Sequence, residues 1–178
     1  NIIREVNLEG AILTRVASSH IRVGTFQYIA ARNKIDELKI LFDYVVKRHF
    51  PKLDESKNKP IEFLKIVLQK QIDLVVNWMR VGFIHGVMNT DNMSIAGETI
   101  DYGPCAFMDI YDPKTVFSSI DQMGRYAYCN QPIITKWNLS RLAECLVSLI
   151  DKDQNKAIEL ATDVINSFEK KYENRWLD

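Results

Sequence analysis

The sequence predicts a mainly α-helical domain with a small β-hairpin. Amphipathic stripes recur along most of the chain, four of the seven glycines fall between Gly82 and Gly103, and the stretch after them loses all periodicity. At 178 residues and 47% hydrophobic content the chain can bury one sizeable core and does not read as disordered. No internal repeat, low-complexity tract or domain-scale linker interrupts it.

Taken in order, residues 11–26 hold two short apolar runs rich in Ile and Val, parted by Ser18 and Ser19 and closed by Gly24, a pattern that predicts two strands or a strand and a turn. From Thr25 the texture is helical. A cap is expected at Asn33, followed by a stripe of Ile35, Leu38, Leu41, Phe42 and Val45 that ends before Pro51. Residues 51–60 read as a charged loop, and Pro60 suits the start of the next helix, where its missing N–H has no intrahelical partner. That helix is expected to reach Met79 or Arg80 and, with its broad apolar set, to lie at the centre of the core. Residues 93–100 predict a tight hairpin with Gly97 at positive φ. Residues 104–136 read as a long irregular segment, and two helices are expected near 138–150 and from Asp153 to Tyr172.

Composition narrows the function classes. Lys+Arg and Asp+Glu both total 23, which gives no support to a general nucleic-acid binder or a membrane-surface protein. The balance hides a split: residues 1–89 carry 14 basic and 9 acidic groups, residues 90–178 carry 9 and 14. Such a split suits a cleft with phosphate-binding cations opposite cation-binding acids, and equally suits opposite charges meeting across an ordinary fold. Cys105, Cys129 and Cys145 show neither disulfide nor zinc spacing, so a reducing compartment is expected. No apolar run is long enough to span a bilayer. The chain opens at Asn1 without an initiator Met, as a processed product or a piece of a longer protein would.

The chemistry concentrates in HGVMNTDN at 85–92 and DYG at 101–103. A hairpin between them would bring Asp91 and Asn92 close to Asp101, converging two carboxylates and an amide. Mg²⁺ takes hard oxygen ligands and completes its shell with water and phosphate oxygens, so Asn92 and Asp101 are candidate metal ligands. Turn capping by the same residues is the plainer alternative. Protein-kinase-like enzymes place a metal-binding Asn, a short hairpin and Asp-aromatic-Gly in this order. Here Val87 stands where their catalytic Asp would be, leaving Asp91 as the carboxylate that could serve as base. His85 is expected to brace the loop rather than move protons, while Tyr126, Tyr128, Trp137 and Trp176 are expected to fill the core.

LTRVASSHIRVGTF, HGVMNTDNMSIAGETIDYGPCAFMD, GRYAYCNQP and WNLSRLA closely resemble the selenoprotein O family, a kinase-like group whose bacterial members are called YdiU. The resemblance covers roughly residues 8–150. It implies a protein adenylyltransferase in which the nucleotide lies reversed relative to kinases, so that AMP passes from ATP to a protein hydroxyl. By matching positions, Asp91 would be the proton acceptor, Asn92 and Asp101 would ligate Mg²⁺ (or Mn²⁺), and Asp101 would also meet the nucleotide. Arg15 and Arg22 would hold the phosphates.

The resemblance further implies the helical, C-terminal lobe of a protein-kinase-like fold over residues 1–178. Within it, 1–24 would be inter-lobe strands, 85–103 the catalytic loop, hairpin and metal-binding DYG, and 104–136 an activation-like segment. No GxGxxG occurs, so the small lobe is expected to lie outside this chain, and the chain alone is expected to bind nucleotide weakly and turn over little or not at all. Expected partners are ATP, hydroxyl-bearing protein substrates and that small lobe, with no nucleic acid and no membrane, in a bacterial cytoplasm or, in a eukaryote, a mitochondrion. A conventional phosphotransferase and a non-catalytic pseudokinase interaction module remain as alternatives.

Overall fold

The computed structural model describes residues 9–178 and the backbone of two short paired strands, β1 (Ile2–Ile3) and β2 (Asn7–Leu8); residues 1 and 4–6, part of the expected inter-lobe strands, lie outside the described residues. The rest is mainly helical, as expected, arranged around α3 (Lys59–Arg80). Phe63, Leu64, Val67, Leu68, Ile72, Val75 and Val76 on α3 are essentially inaccessible, and the helix packs against α4 (Gln131–Ile150), α5 (Gln154–Asn166) and α6 (Phe168–Leu177). Burial on this scale is the main stabilising contribution to such a helix. Asn58 caps α3 by accepting from the Ile61 N–H at 3.3 Å, and Pro60 sits in the first turn. α1 (Val23–Ala30) and α2 (Ile35–His49) close one side, where the Phe63 ring meets Phe26, Phe42 and Phe50 at centroid distances of 5.8, 5.5 and 5.3 Å. α2 stops before Pro51 as expected, and Pro51–Glu55 form a 3-10 turn.

Several sequence expectations are corrected. Residues 11–22 form no strand. Their β pairing is confined to one bridge, Arg22 with Ser94, and α1 begins at Val23. Asn33 does not cap a helix: it occupies the turn between α1 and α2 at φ 54°, a conformation asparagine tolerates better than most residues, and Lys34 takes the N-cap. α4 starts seven residues before the expected 138, because Pro132 lies in its first turn, where no N–H is needed. The buried face of that first half carries Gln131, Thr135 and Asn138, polar residues that hide the stripe from a hydrophobicity reading. The last expected helix is two, parted at Ser167, whose hydroxyl donates to Val164 O at 2.6 Å. Trp137 and Trp176 are surface residues, 39% and 43% exposed, rather than core.

The small antiparallel sheet exists but lies elsewhere. β3 (Phe83–Ile84) pairs with β4 (Ala106–Phe107), Phe83 opposite Phe107, so the strands flank the whole 85–103 segment instead of lying inside it. Residues 93–95 instead join the entry to α1: Val23 N–H donates to Met93 O and Ile95 N–H to Ile21 O, both at 3.0 Å. A backbone already satisfied by a neighbouring segment has no need of a hairpin partner. Gly97 still makes the expected turn, at φ 71°. Among the described residues no helix is long and apolar enough to cross a membrane.

Candidate active site

β3 delivers the chain into the 85–92 loop and β4 receives it after DYG, so the pair fixes both ends of the site. His85 is fully buried. Its Nδ1 accepts from the Val87 N–H at 3.3 Å, which leaves Nε2–H to donate to Ile100 O at 2.8 Å. One imidazole therefore ties the loop before Asp91 to the residue before Asp101. Burial pushes its pKa below the ordinary imidazole value, against the raising influence of the Ile100 carbonyl and the Asp101 carboxylate. The bracing role expected of His85 is the one observed. Gly86 follows at φ 83°, and a Cβ there would stand 3.0 Å from Pro104, so loop and DYGP turn approach as closely as glycine permits.

Two buried amides on α4, unnoticed in the sequence, hold the same loop. Gln131 accepts from His85 N–H at 3.0 Å and donates to Phe83 O at 2.9 Å, while Asn138 donates to Met88 O at 2.9 Å. They lie seven residues apart, two helical turns, and so share one face. A buried polar pair at that spacing beside Leu142 and Leu146 was the available signal.

Asp91 and Asn92 belong to a 3-10 turn, Thr90–Asn92, capped by Asn89, whose side chain accepts the Asp91 N–H at 3.0 Å. Asn92 is 8% exposed and donates one of its amide N–H groups to Val87 O at 2.8 Å. Asp91 is exposed and lies against Gly24 in the first turn of α1.

Arg15, Arg22 and Asp101 line one open cavity of about 1010 Å³. Segment 15–22 supplies the cations with His20, and residues 97–102 supply Glu98, Asp101 and Tyr102 opposite them. Two arginines of the basic half thus face two acids of the acidic half across this cavity. Arg15 stacks on the Tyr102 ring, and Glu98 holds the arginine-bearing segment by accepting from the Ser18 N–H at 2.9 Å and hydroxyl at 2.5 Å. Those two bonds keep the Glu98 carboxyl below its usual range. Asp101 has φ 55°, an unusual backbone for a residue with a side chain. Asp91 and Asn92 are not in this cavity's lining; they connect to it through the α1 entry and His85.

A family model described as "Protein adenylyltransferase SelO" matches residues 2–178. The chain belongs to the SelO family. The chain is 62% identical over 178 residues to "Protein nucleotidyltransferase YdiU" of Pelagibacter ubique (strain HTCC1062), covering 100% of this chain and 37% of that protein. The proteins of the same name from Shouchella clausii (strain KSM-K16) and Clostridium botulinum (strain Okra / Type B1) are each 58% identical, over 174 and 177 residues, 98% and 99% of this chain and 36% of theirs. The chain therefore spans a little over a third of the length of the curated relatives it matches.

Proposed function

We propose that the protein containing this chain transfers AMP from ATP to hydroxyl side chains of proteins. The observation that carries the reading is the shared cavity of Arg15, Arg22 and Asp101, braced by His85 to the loop that bears Asp91. Family membership and the name of the relatives support the same reaction class.

In this reading Arg15 and Arg22 bind the phosphates, since the guanidinium fork matches phosphate oxygens in pairs. The substrate hydroxyl oxygen attacks the α-phosphorus, the bond from that phosphorus to the β-phosphate bridge breaks, and pyrophosphate departs. The hydroxyl proton passes to the Asp91 carboxylate. Asn92 and Asp101 offer an amide oxygen and a carboxylate, the hard donors that suit Mg²⁺ or Mn²⁺; among the described residues no cluster of three or more His, Cys, Asp or Glu forms a metal site by itself. These two residues would hold the cation, and such an ion would neutralise charge on the triphosphate. Residues 1–178 would act as the helical lobe, with the rest of the phosphate clamp supplied by the remainder of the longer protein.

The test uses the full-length protein with ATP labelled at the α- or the γ-phosphate. Protein labelling from α-labelled ATP alone, abolished by Asp101→Ala and by chelation of divalent metal, is the expected result. Labelling from γ-labelled ATP alone would make it a conventional kinase. The absence of a kinase-type Asp at Val87 gives a non-catalytic module its one supporting observation, and labelling from neither ATP would favour that module.

A further inference from the structure

We propose that Gly24 is a positioning residue for Asp91: the space left by its missing side chain sets where the Asp91 carboxylate stands. The proposal rests on the reading of Asp91 as proton acceptor. Gly24 is buried in the first turn of α1, within ordinary helical backbone, where alanine would be the better helix former. Helix geometry therefore gives no reason for glycine there. The reason is spatial. A methyl group on residue 24 would overlap Asp91 Oδ1 and stand 2.9 Å from Cγ and 3.2 Å from Cα of the same residue.

Neither side can withdraw freely. Beneath Asp91, the turn is held by Asp91 N–H to Asn89 Oδ1 at 3.0 Å, Asn92 N–H to Asn89 O at 3.0 Å and Asn92 Nδ2–H to Val87 O at 2.8 Å. On the other side, α1 is fastened to the same loop by Val23 N–H to Met93 O at 3.0 Å and by the Arg22–Ser94 bridge. With both backbones pinned, an added methyl group displaces the carboxylate itself. Arg22 lies two residues before Gly24, so the same close approach sets the spacing between a phosphate-binding cation and the proton acceptor.

The experiment measures AMP transfer by the full-length protein for the wild type, Gly24→Ala, Asp91→Ala and the double variant. Displacement of a reacting group by about 1 Å costs on the order of 100-fold, so Gly24→Ala lowers kcat about that much while KM for ATP moves less than twofold. In the Asp91→Ala background the methyl group has no carboxylate to displace, and Gly24→Ala has no further effect. Undiminished kcat in Gly24→Ala, a matching rise in KM, or an additional loss in the double variant overturns the proposal. Should Gly24→Ala fold poorly, Asp91→Ala must restore its Tm; no recovery overturns the proposal as well. Full turnover by Asp91→Ala alone would instead remove the proton-acceptor reading and this proposal with it, whereas loss in Asp91→Ala beside full activity in Gly24→Ala removes only this proposal.

Discussion

The guanidinium of Arg15 lies over the ring of Tyr102, 4.0 Å from its centroid, joining two segments far apart in the chain across the mouth of the cavity. The aromatic residue of DYG thereby holds the side chain that the proposed function assigns to phosphate binding. Arg15 is solvent-exposed and Tyr102 is 42% exposed, so the contact belongs to the weaker class of such interactions, about 0.5–1 kcal/mol.

Tyr102→Ala is therefore expected to weaken ATP binding by the full-length protein about two- to fivefold, the equivalent of that energy. Tyr102→Phe keeps the ring and should bind like the wild type. Titration calorimetry with ATP separates the two, and equal losses in both variants would assign the effect to the hydroxyl instead of the ring.

The tautomer of His85 makes a pH dependence. In the folded protein burial lowers its pKa below the value near 6.5 that it has when unfolded. Below that value the unfolded chain takes up a proton that the fold resists, so stability is complete above pH about 6.5 and falls as pH drops toward the folded pKa. The proton would go to Nδ1, which now accepts from Val87, and would break that brace. His85→Gln should flatten the fall of the urea midpoint as pH drops below about 6.5. His49 is also shifted down, chiefly by burial, so part of the slope should persist.

Gln131 is wholly buried and serves two backbone groups of the loop. Gln131→Leu leaves the His85 N–H and Phe83 carbonyl without these partners, at about 1–3 kcal/mol for each stranded group. Denaturant unfolding of the full-length protein should show that loss. An unchanged midpoint in Gln131→Leu would mean that water replaces the amide.

The motif of the candidate site was legible because it is local. His85, Asp91, Asn92 and Asp101 fall within seventeen residues, and their types and order suffice to suggest a metal and phosphate site. α3 was readable for a similar reason: its stripe, its proline and its end are all contained in its own sequence. The β pairing was not. Residues 93–100 have the composition of a hairpin, yet Met93 and Ile95 find backbone partners in Val23 and Ile21, some seventy residues away. Local preference is weak beside a long-range partner that satisfies the same N–H and C=O groups.

By itself the sequence determined the helical character of the chain, the place of its central helix and the residue types able to hold phosphate and metal, because periodicity and local motif spacing encode them. Only the tertiary structure decided that Arg15, Arg22 and Asp101 share a cavity, that Gln131 and Asn138 hold the loop from α4, and that Asp91 occupies the space left at Gly24. Those relations depend on how separate segments pack and on which backbone groups find partners across the core, and spacing along one chain carries no such distances.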